Sequence, residues 1–578
     1  MSIRTADYIA AFLAEHGVKH VFTITGGGAM HLNNAFGKNK DLTCVYFHHE
    51  QACAMAAEGY ARLTGNPVAV CVTSGPGGTN ALTGVMGAYL DSIPMFVVSG
   101  QVKYSTTVAA TGLPLRQFGD QEYPIVESAK RMTKYAKMVT DTADIRKMLQ
   151  KAWRKMNEGR KGPVWLDVPL NIQGEIIDET QLTGEEKLPK TEIADDMDID
   201  ALLNQLKTAK RPIILAGTGI RLAGAHAEFI KLVKHLGIPV ATAWNAHDVI
   251  PDSHRLFVGR PGTVGDRAGN FALQKSDLML VLGCRMNIRQ ISYNYEEFAP
   301  DTFKAVVEID ATELKKPSIK IDLPIHADLK SVMDKLLARR IEKSDISEWI
   351  RWCGETRKRY PIPTKEQTED PDGVNVYHFM GTLFDRLPED ANVVASNGSA
   401  CVCSFQAARI KENTRLFTNS GCAAMGYGLP AAIGAALSPH DGPIICLEGD
   451  GSLQMNIQEL QTVRHYGLPI KLYVINNSGY QSIRQTQSNI FPDDPMFGVD
   501  ENTGVSFPNL EKIADAYHLM YMKIDSRDNM EAAIDIALSV NAPVLTEVVV
   551  TVGQAFEPKL AAIKRADGSI YSPPPYDL

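Results

Sequence analysis

The run Gly449-Asp450-Gly451-Ser452 follows the apolar stretch PIICLE, and a helix-length interval later a second apolar run, LYVI, ends at Asn476-Asn477. Two strand ends are thereby expected side by side at the carboxyl edge of a parallel sheet. There Asp450 and Asn477 can each offer a side-chain oxygen to one hard cation, while Gly449 and Gly451 let backbone approach a phosphate. That combination suits Mg²⁺ on a diphosphate. A GDGS alone is as readily a turn or a calcium loop; the strand before it and the Asn-Asn after it decide for the functional reading. Glu50 is a carboxylate in another setting, at the junction between the strand-like CVYFHH and the small-residue helix EQACAMAAEGYAR. By itself it reads as a surface glutamate favouring a helix N-terminus. Gly26-Gly27-Gly28 and Ser74-Gly75-Pro76-Gly77-Gly78-Thr79-Asn80 are further tight turns at strand ends of the same segment, and together they form a concave edge for a ligand.

Such edges need parallel α/β sheets, and the chain supplies three candidate domains. Residues 1–177 alternate β-like runs (PVAVCVTS, MFVVSG, PVWLDVP) with helical segments. An acidic, aperiodic stretch from Asp178 to Asp198 reads as a linker. A second α/β segment over 195–340 carries PIILAG, LMLVLG and AVVEID, and a charged stretch ending in YPIPTKEQTEDPDG leads to a third, 374–553, with NVVAS, PIICLEGDG, IKLYVINN and APVLTEVVV. The proline-rich tail, 554–578, is expected to lie over a surface rather than to build a core. The fold class is therefore α/β, with three doubly wound parallel-sheet domains.

Bulk composition narrows the function. A chain of 578 residues with 44% hydrophobic, 22% charged and 7% aromatic residues is that of a multidomain globular protein. Its net charge of −8 argues against nucleic acid as partner. The most basic stretch, Lys151 to Lys161, reads as a solvated helix face. Nine scattered cysteines without a C-x-x-C pair speak against a disulfide framework or zinc site and fit a reducing cytoplasm; Cys401 and Cys403 read as small core residues. The N-terminus lacks the pattern of a targeting segment, and the apolar runs are too short to span a bilayer, so no membrane association is expected.

Together, TGGGAMH (25–31), HEQACAMAAEGYAR (49–62), VTSGPGGTN (72–80), GPVWLDVP (162–169), MGYGLPAAIGA (425–435) and the GDGS to Asn-Asn pair resemble the acetolactate synthase group of thiamine-diphosphate (ThDP) enzymes. Pyruvate oxidase, oxalyl-CoA decarboxylase and keto-sugar acyltransferases belong to the same family. The resemblance covers nearly the whole chain and implies a pyrimidine-binding domain, a central domain and a diphosphate-binding domain. By this resemblance Glu50 hydrogen-bonds the cofactor's aminopyrimidine and activates the thiazolium carbon, with ThDP as electron sink. Asp450, Asn477 and the backbone carbonyl near Gly479 hold Mg²⁺. Gly27, Gly28, Gly398, Ser399, Gly449, Gly451 and Ser452 contact the cofactor, Ser399 in a local NGSA that departs from the family pattern. Met425 takes the place of the bulky apolar residue beneath the thiazolium.

Gln121, in FGDQEYPIV, matches the glutamine of the family's substrate-side segment. Asp120 and Thr486, however, stand where acetolactate synthases have phenylalanine and tryptophan, which makes the acceptor pocket more polar and less crowded. The central domain resembles the family's FAD-binding domain at Gly217 and Gly219, Arg289 and Glu308, with altered residues at Asn287 and Ile288, and some members keep this domain without flavin. The resemblance also implies a homo-oligomer whose active sites join two subunits. The leading expectation is a carboligase that decarboxylates a 2-keto acid, pyruvate above all, and transfers the acyl unit to a keto acid or keto sugar. Alternatives are an acetolactate synthase of branched-chain amino-acid synthesis and a simple decarboxylase or oxidase.

Overall fold

The computed structural model describes residues 2–184, 187 and 190–577. Positions 185, 186, 188 and 189 of the expected linker, the first residue of the first domain and the last of the tail lie outside the described residues.

A first compact unit comprises Met1–Lys190 together with Asn419–His440 and Met455–Ile470. Its six-stranded sheet contains β1 (His20–Thr23), β2 (Thr43–Tyr46), β3 (Val68–Val72), β4 (Met95–Gln101), β5 (Tyr135–Met138) and β6 (Val164–Pro169), in the order β2-β1-β3-β4-β6-β5. All of its ladders are parallel. Every residue of β3, β4 and β6 is buried, which is why these strands read as continuous apolar runs rather than as alternating patterns. The basic stretch falls largely on the helix Ile145–Asn157, which buries Leu149, Ala152 and Met156 and keeps its lysines and arginines partly exposed. Helix α1 (Glu50–Thr64) buries its small-residue face against α2 (Gly428–Leu437). A Cβ at Gly59 would lie 2.2 Å from the Ala431 carbonyl oxygen, and one at Gly434 1.8 Å from that of Ala56. The two helices touch backbone to backbone, and this packing draws part of the expected third segment into the first unit.

The second unit, Thr191–Thr418 with Asp441–Gln454 and Lys471–Leu578, holds two further parallel sheets. The central sheet runs β9-β8-β7-β10-β11-β12, from β7 (Pro212–Ala216), β8 (Val240–Thr242), β9 (Phe257–Gly259), β10 (Leu278–Leu282), β11 (Phe303–Glu308) and β12 (Leu323–His326). The third runs β14-β13-β15-β16-β18-β17, from β13 (Asn392–Ala395), β14 (Arg415–Phe417), β15 (Ile444–Gly449), β16 (Lys471–Asn476), β17 (Met520–Ile524) and β18 (Val544–Val549). Cys401 and Cys403 are buried in the core of this third sheet. The tail forms a short hairpin, Ile563–Lys564 with Ile570–Tyr571, and anchors itself through buried Phe556.

In each sheet the strand order reverses between two neighbours: β1 and β3, β7 and β10, β13 and β15. The crevice outside their carboxyl ends is where open α/β sheets bind ligands. The glycine-bearing turns singled out in the sequence follow these strands.

Candidate active site

In the third sheet Asp450 directly follows β15 and is only 4% exposed. Its carboxylate accepts the Gly451 N–H at 2.8 Å and the Gly479 N–H at 3.2 Å. Burial raises its pKa to about 6, against the opposing pull of these backbone donors. Asn477, one residue past β16, is 5% exposed and donates through Nδ2 to Ser399 Oγ at 3.4 Å. Its Oδ1 is buried with no hydrogen-bond partner among the described residues. A buried amide oxygen without a donor is costly unless something absent from the protein chain meets it. Ser399 opens a helix behind β13, and Ser452 Oγ lies 2.9 Å from Ser396 Oγ, so both serines flank the β13/β15 crevice. Gly398, at φ +60, makes the turn into that helix. A Cβ on Gly451 would collide with Tyr480 Cε1 at 2.3 Å and with Phe507 Cζ at 2.9 Å, so only glycine fits there.

The residues shaping this corner include one that sequence reasoning missed. Arg484 is 8% exposed, and its guanidinium donates to Gln481 Oε1, to the Ser478 carbonyl at 3.3 Å and to Asp500 Oδ2 at 3.3 Å. It pins the Ser478-Gly479 turn, where Ser478 has φ +54. Nothing in the pattern IRQTQ marks it, because its partners lie up to 16 residues away. Among the described residues no group of three or more His, Cys, Asp or Glu side chains is placed to hold a metal. Asp450 offers a carboxylate and Asn477 an amide oxygen, hard oxygens of the kind Mg²⁺ takes, so these residues fit the ion.

In the first unit Glu50 opens α1 behind His49, whose Nδ1 accepts the Gln51 N–H at 3.1 Å. Glu50 is half-buried, and its Oε2 accepts Asn80 Nδ2 at 2.9 Å. Asn80 belongs to the helix that starts behind β3, so Glu50 and the Ser74–Asn80 turn do meet. Gly27 and Gly28 turn behind β1, and a Cβ on Gly28 would press on Ser74 Oγ at 2.7 Å, whereas one on Gly27 would meet open space. Gln173 holds this turn by donating to the Gly28 carbonyl at 2.7 Å. Gln121, exposed and at φ +58, presents its backbone carbonyl to Gly75.

Residues 455–466 buttress the start of α1. Buried Glu459 accepts the His48 N–H at 3.1 Å, and Asn456 Nδ2 donates to Gln51 Oε1 at 3.1 Å and to the Gly426 carbonyl at 2.8 Å. Asn456 therefore ties the half-buried Met425 segment to the first turn of α1. Neither residue carries a local motif. Their role exists only because two distant segments pack together.

Asp120, in the first unit, and Thr486, in the second, are both exposed. Thr486 Oγ1 donates to the Ser482 carbonyl at 2.8 Å, which leaves its lone pairs as acceptors. In the central sheet, a Cβ at Gly217 would lie 2.2 Å from the Gly283 carbonyl oxygen and one at Gly219 2.7 Å from Gly283 Cα, so close backbone packing already calls for both glycines. Glu308 accepts the N–H groups of Ile309 and Asp310 at its own strand end. Arg289 lies over the Trp244 ring at 4.8 Å. No helix among the described residues is long and apolar enough to cross a membrane.

Three family models match the chain: the N-terminal TPP binding domain of thiamine pyrophosphate enzymes over residues 3–122, the central domain over 199–336, and the C-terminal TPP binding domain over 396–548. The chain is 32% identical to the acetolactate synthase large subunit of Lactococcus lactis subsp. lactis, over 96% of its own length and 94% of that relative. It is 30% identical to acetolactate synthase 2, chloroplastic, of Nicotiana tabacum, over 94% and 82%. With the acetolactate synthase isozyme 1 large subunit of Escherichia coli it shares 29%, over 94% and 93%.

Proposed function

The chain belongs to the acetolactate-synthase-like thiamine pyrophosphate enzymes, and from that premise we propose that it decarboxylates pyruvate and transfers the two-carbon unit to a hydroxyl-rich carbonyl acceptor such as a keto sugar. ThDP-dependent decarboxylation and carboligation are the chemistry of the family; donor, acceptor, metal and site residues are the proposal. When bound, ThDP supplies the electron sink that lets a 2-keto acid lose CO₂. The observation that carries the site is the buried Asn477 Oδ1, which has no hydrogen-bond partner among the described residues and lies just past the strand that pairs with the one Asp450 follows.

In this reading Asp450, Asn477 and the Gly479 carbonyl hold Mg²⁺, and Gly398, Ser399, Gly449, Gly451 and Ser452 hold the diphosphate through N–H groups and hydroxyls. Glu50 keeps a proton at a ring nitrogen of the cofactor. Asn80 supports this by occupying one carboxylate oxygen and leaving the other to accept. Gly27 leaves open space for the cofactor while Gly28 lets the turn pack closely on Ser74, and Met425 would supply an apolar contact to the cofactor. Gln121, Asp120 and Thr486 border the substrates. Homo-oligomerisation is part of the proposal, because the resemblance pairs the first domain of one copy with the third of another. The transfer is redox-neutral, so no step draws on flavin even if Gly217, Gly219, Arg289 and Glu308 seat one. Nine free thiols support a reducing cytoplasm.

The acceptor assignment rests on Asp120 and Thr486, where two aromatic rings of the acetolactate synthase pattern are replaced by polar groups. Discrimination of an alkyl chain by apolar contact is worth only about 1–3 kcal/mol per methylene, whereas a polar pocket selects by satisfied hydrogen bonds. The second reading, acetolactate synthase itself, is favoured by the names of the relatives. Product analysis separates them. With pyruvate as donor and equimolar 2-ketobutyrate, pyruvate and a deoxy-keto sugar as acceptors, the sugar adduct is expected to dominate; predominant acetohydroxybutyrate or acetolactate returns the enzyme to the second reading. Full turnover after chelator dialysis, with neither ThDP nor Mg²⁺ detectable, would overturn both.

A further inference from the structure

Two cations in the second unit stand together without an acid. Thr263 joins them: its N–H donates to the Arg289 carbonyl at 2.8 Å, and its own carbonyl accepts the N–H of Leu560, the neighbour of Lys559, at 2.8 Å. Both side chains are half-buried. Lys559 Nζ donates to Gln485 Oε1 at 3.1 Å and lies 5.8 Å from the Phe556 ring centroid. The Arg289 guanidinium covers Trp244 at 4.8 Å. Trp244 is 8% exposed, and its indole N–H is buried with no partner among the described residues. Among the described residues neither cation has a carboxylate partner. Burial, and then the positive charge of Arg289, hold the Lys559 pKa below that of an ordinary lysine.

Their position connects them to the proposed chemistry. Gln485, which receives the Lys559 ammonium, adjoins Thr486 on the helix Gln481–Ile490. Arg289 acts electrostatically on Cys401, which lies two residues from Ser399 on the helix whose first residue meets Asn477. Two adjoining half-buried cations repel each other, and an incoming counter-charge relieves that repulsion. A carboxylate would neutralise one of them. A phosphate carries a charge of about −1.5 to −2 near neutral pH and neutralises both. An arginine fork, a lysine point charge and an unused indole donor suit its several oxygens.

We propose that Arg289 and Lys559 seat a phosphate group of the acceptor, so that the acceptor is a keto sugar carrying a phosphate ester or a nucleoside diphosphate. This deepens the reading above and depends on it. The same phosphate chemistry is presented by a sugar phosphate, a nucleotide sugar or a dinucleotide, and the ligands chosen for the test tell them apart.

The test is calorimetric titration of holoenzyme saturated with ThDP and Mg²⁺, using glucose, glucose 1-phosphate, UDP-glucose and FAD as unreactive ligands. At least one phosphorylated sugar is expected to bind where glucose does not. Lys559→Ala is expected to weaken that binding at least about tenfold, and Lys559→Arg to restore most of it, as for a charge-assisted contact. Thermal melting checks that each variant is folded. CO₂ release from pyruvate by the same wild-type preparation keeps the two ideas apart: without it the underlying reading fails. With it, the seat is overturned if neither sugar ligand binds or if binding is indifferent to Lys559→Ala. If FAD alone binds in a Lys559-dependent manner, the seat belongs to a dinucleotide and the acceptor assignment is lost.

Discussion

The first and third sheets share one topology, β2-β1-β3-β4-β6-β5 and β14-β13-β15-β16-β18-β17, yet their carboxyl edges treat polar groups in opposite ways. At the first, the charges have protein partners. Glu50 receives Asn80, and deeper in the sheet the fully buried Asp167 accepts from Ser99 at 2.6 Å and from Gln101 at 3.1 Å. At the third, among the described residues, the Asp450 carboxylate meets only backbone N–H groups and Asn477 Oδ1 has no partner. The first edge is complete as protein and offers one oriented carboxylate. The third leaves a buried amide oxygen unmet, and it is this oxygen that the proposal gives to a metal ion. One topology thus carries two unlike edges, because topology sets where the crevice lies while the residues after each strand set which polar groups stand there.

The largest expected effect comes from emptying the third edge. Asp450→Ala should lower both ThDP retention and turnover by more than about 10², since loss of even an outer partner of a metal ligand costs 10–100-fold. Unchanged cofactor retention in a desalted sample would remove Asp450 from the metal site. Next, Glu50→Gln should leave folding and cofactor retention intact while slowing turnover by at least about 10², with proton exchange at the thiazolium carbon slowed alongside. Wild-type exchange in that variant would contradict the role given to Glu50.

Asp167 sharpens the contrast by titration. Burial raises its pKa from 3.8 to about 7, against the opposing hydrogen bonds of Ser99 and Gln101. The folded state therefore holds a proton that the unfolded chain releases near pH 4. Its contribution to stability is present below that pH and declines as pH rises towards about 7, by at most about 1.4 kcal/mol per pH unit. Urea denaturation of wild type and Asp167→Asn across this range should show a steeper decline in the wild type than in the variant, which keeps other raised carboxylates such as Asp450; parallel curves would place the group's titration elsewhere. The smallest effect on stability is expected at Gly27, where an added Cβ meets open space. Gly27→Ala should change unfolding free energy by no more than about 0.5 kcal/mol but raise the ThDP concentration needed for half-activity. If stability fell and cofactor affinity did not, the space beside Gly27 would be structural.

Much of this was legible because it is local. PIILAG, LMLVLG, NVVAS and IKLYVINN are strands with both faces buried, so their apolar character declares them without knowledge of their neighbours. Strands such as His20–Thr23, Val240–Thr242, Arg415–Phe417 and Met520–Ile524 went unread. They are short, or partly exposed at an edge, and their pairing rather than their composition makes them strands.

The sequence by itself determined the chemistry at the strand ends: which turns are glycine-rich, where a carboxylate and an amide follow apolar runs, and that Asp120 and Thr486 are polar. These are properties of backbone freedom and side-chain type over a few residues. Only the tertiary structure decided that β1 stands beside β3 and β13 beside β15, that Asn80 reaches Glu50, and that Asn456 and Glu459 brace the start of α1 from some four hundred residues away. It also joined the Arg289 backbone, through Thr263, to that of Leu560 beside Lys559. Such partners are chosen by strand order and helix packing, which depend on the whole chain at once, and no window of neighbouring residues contains them.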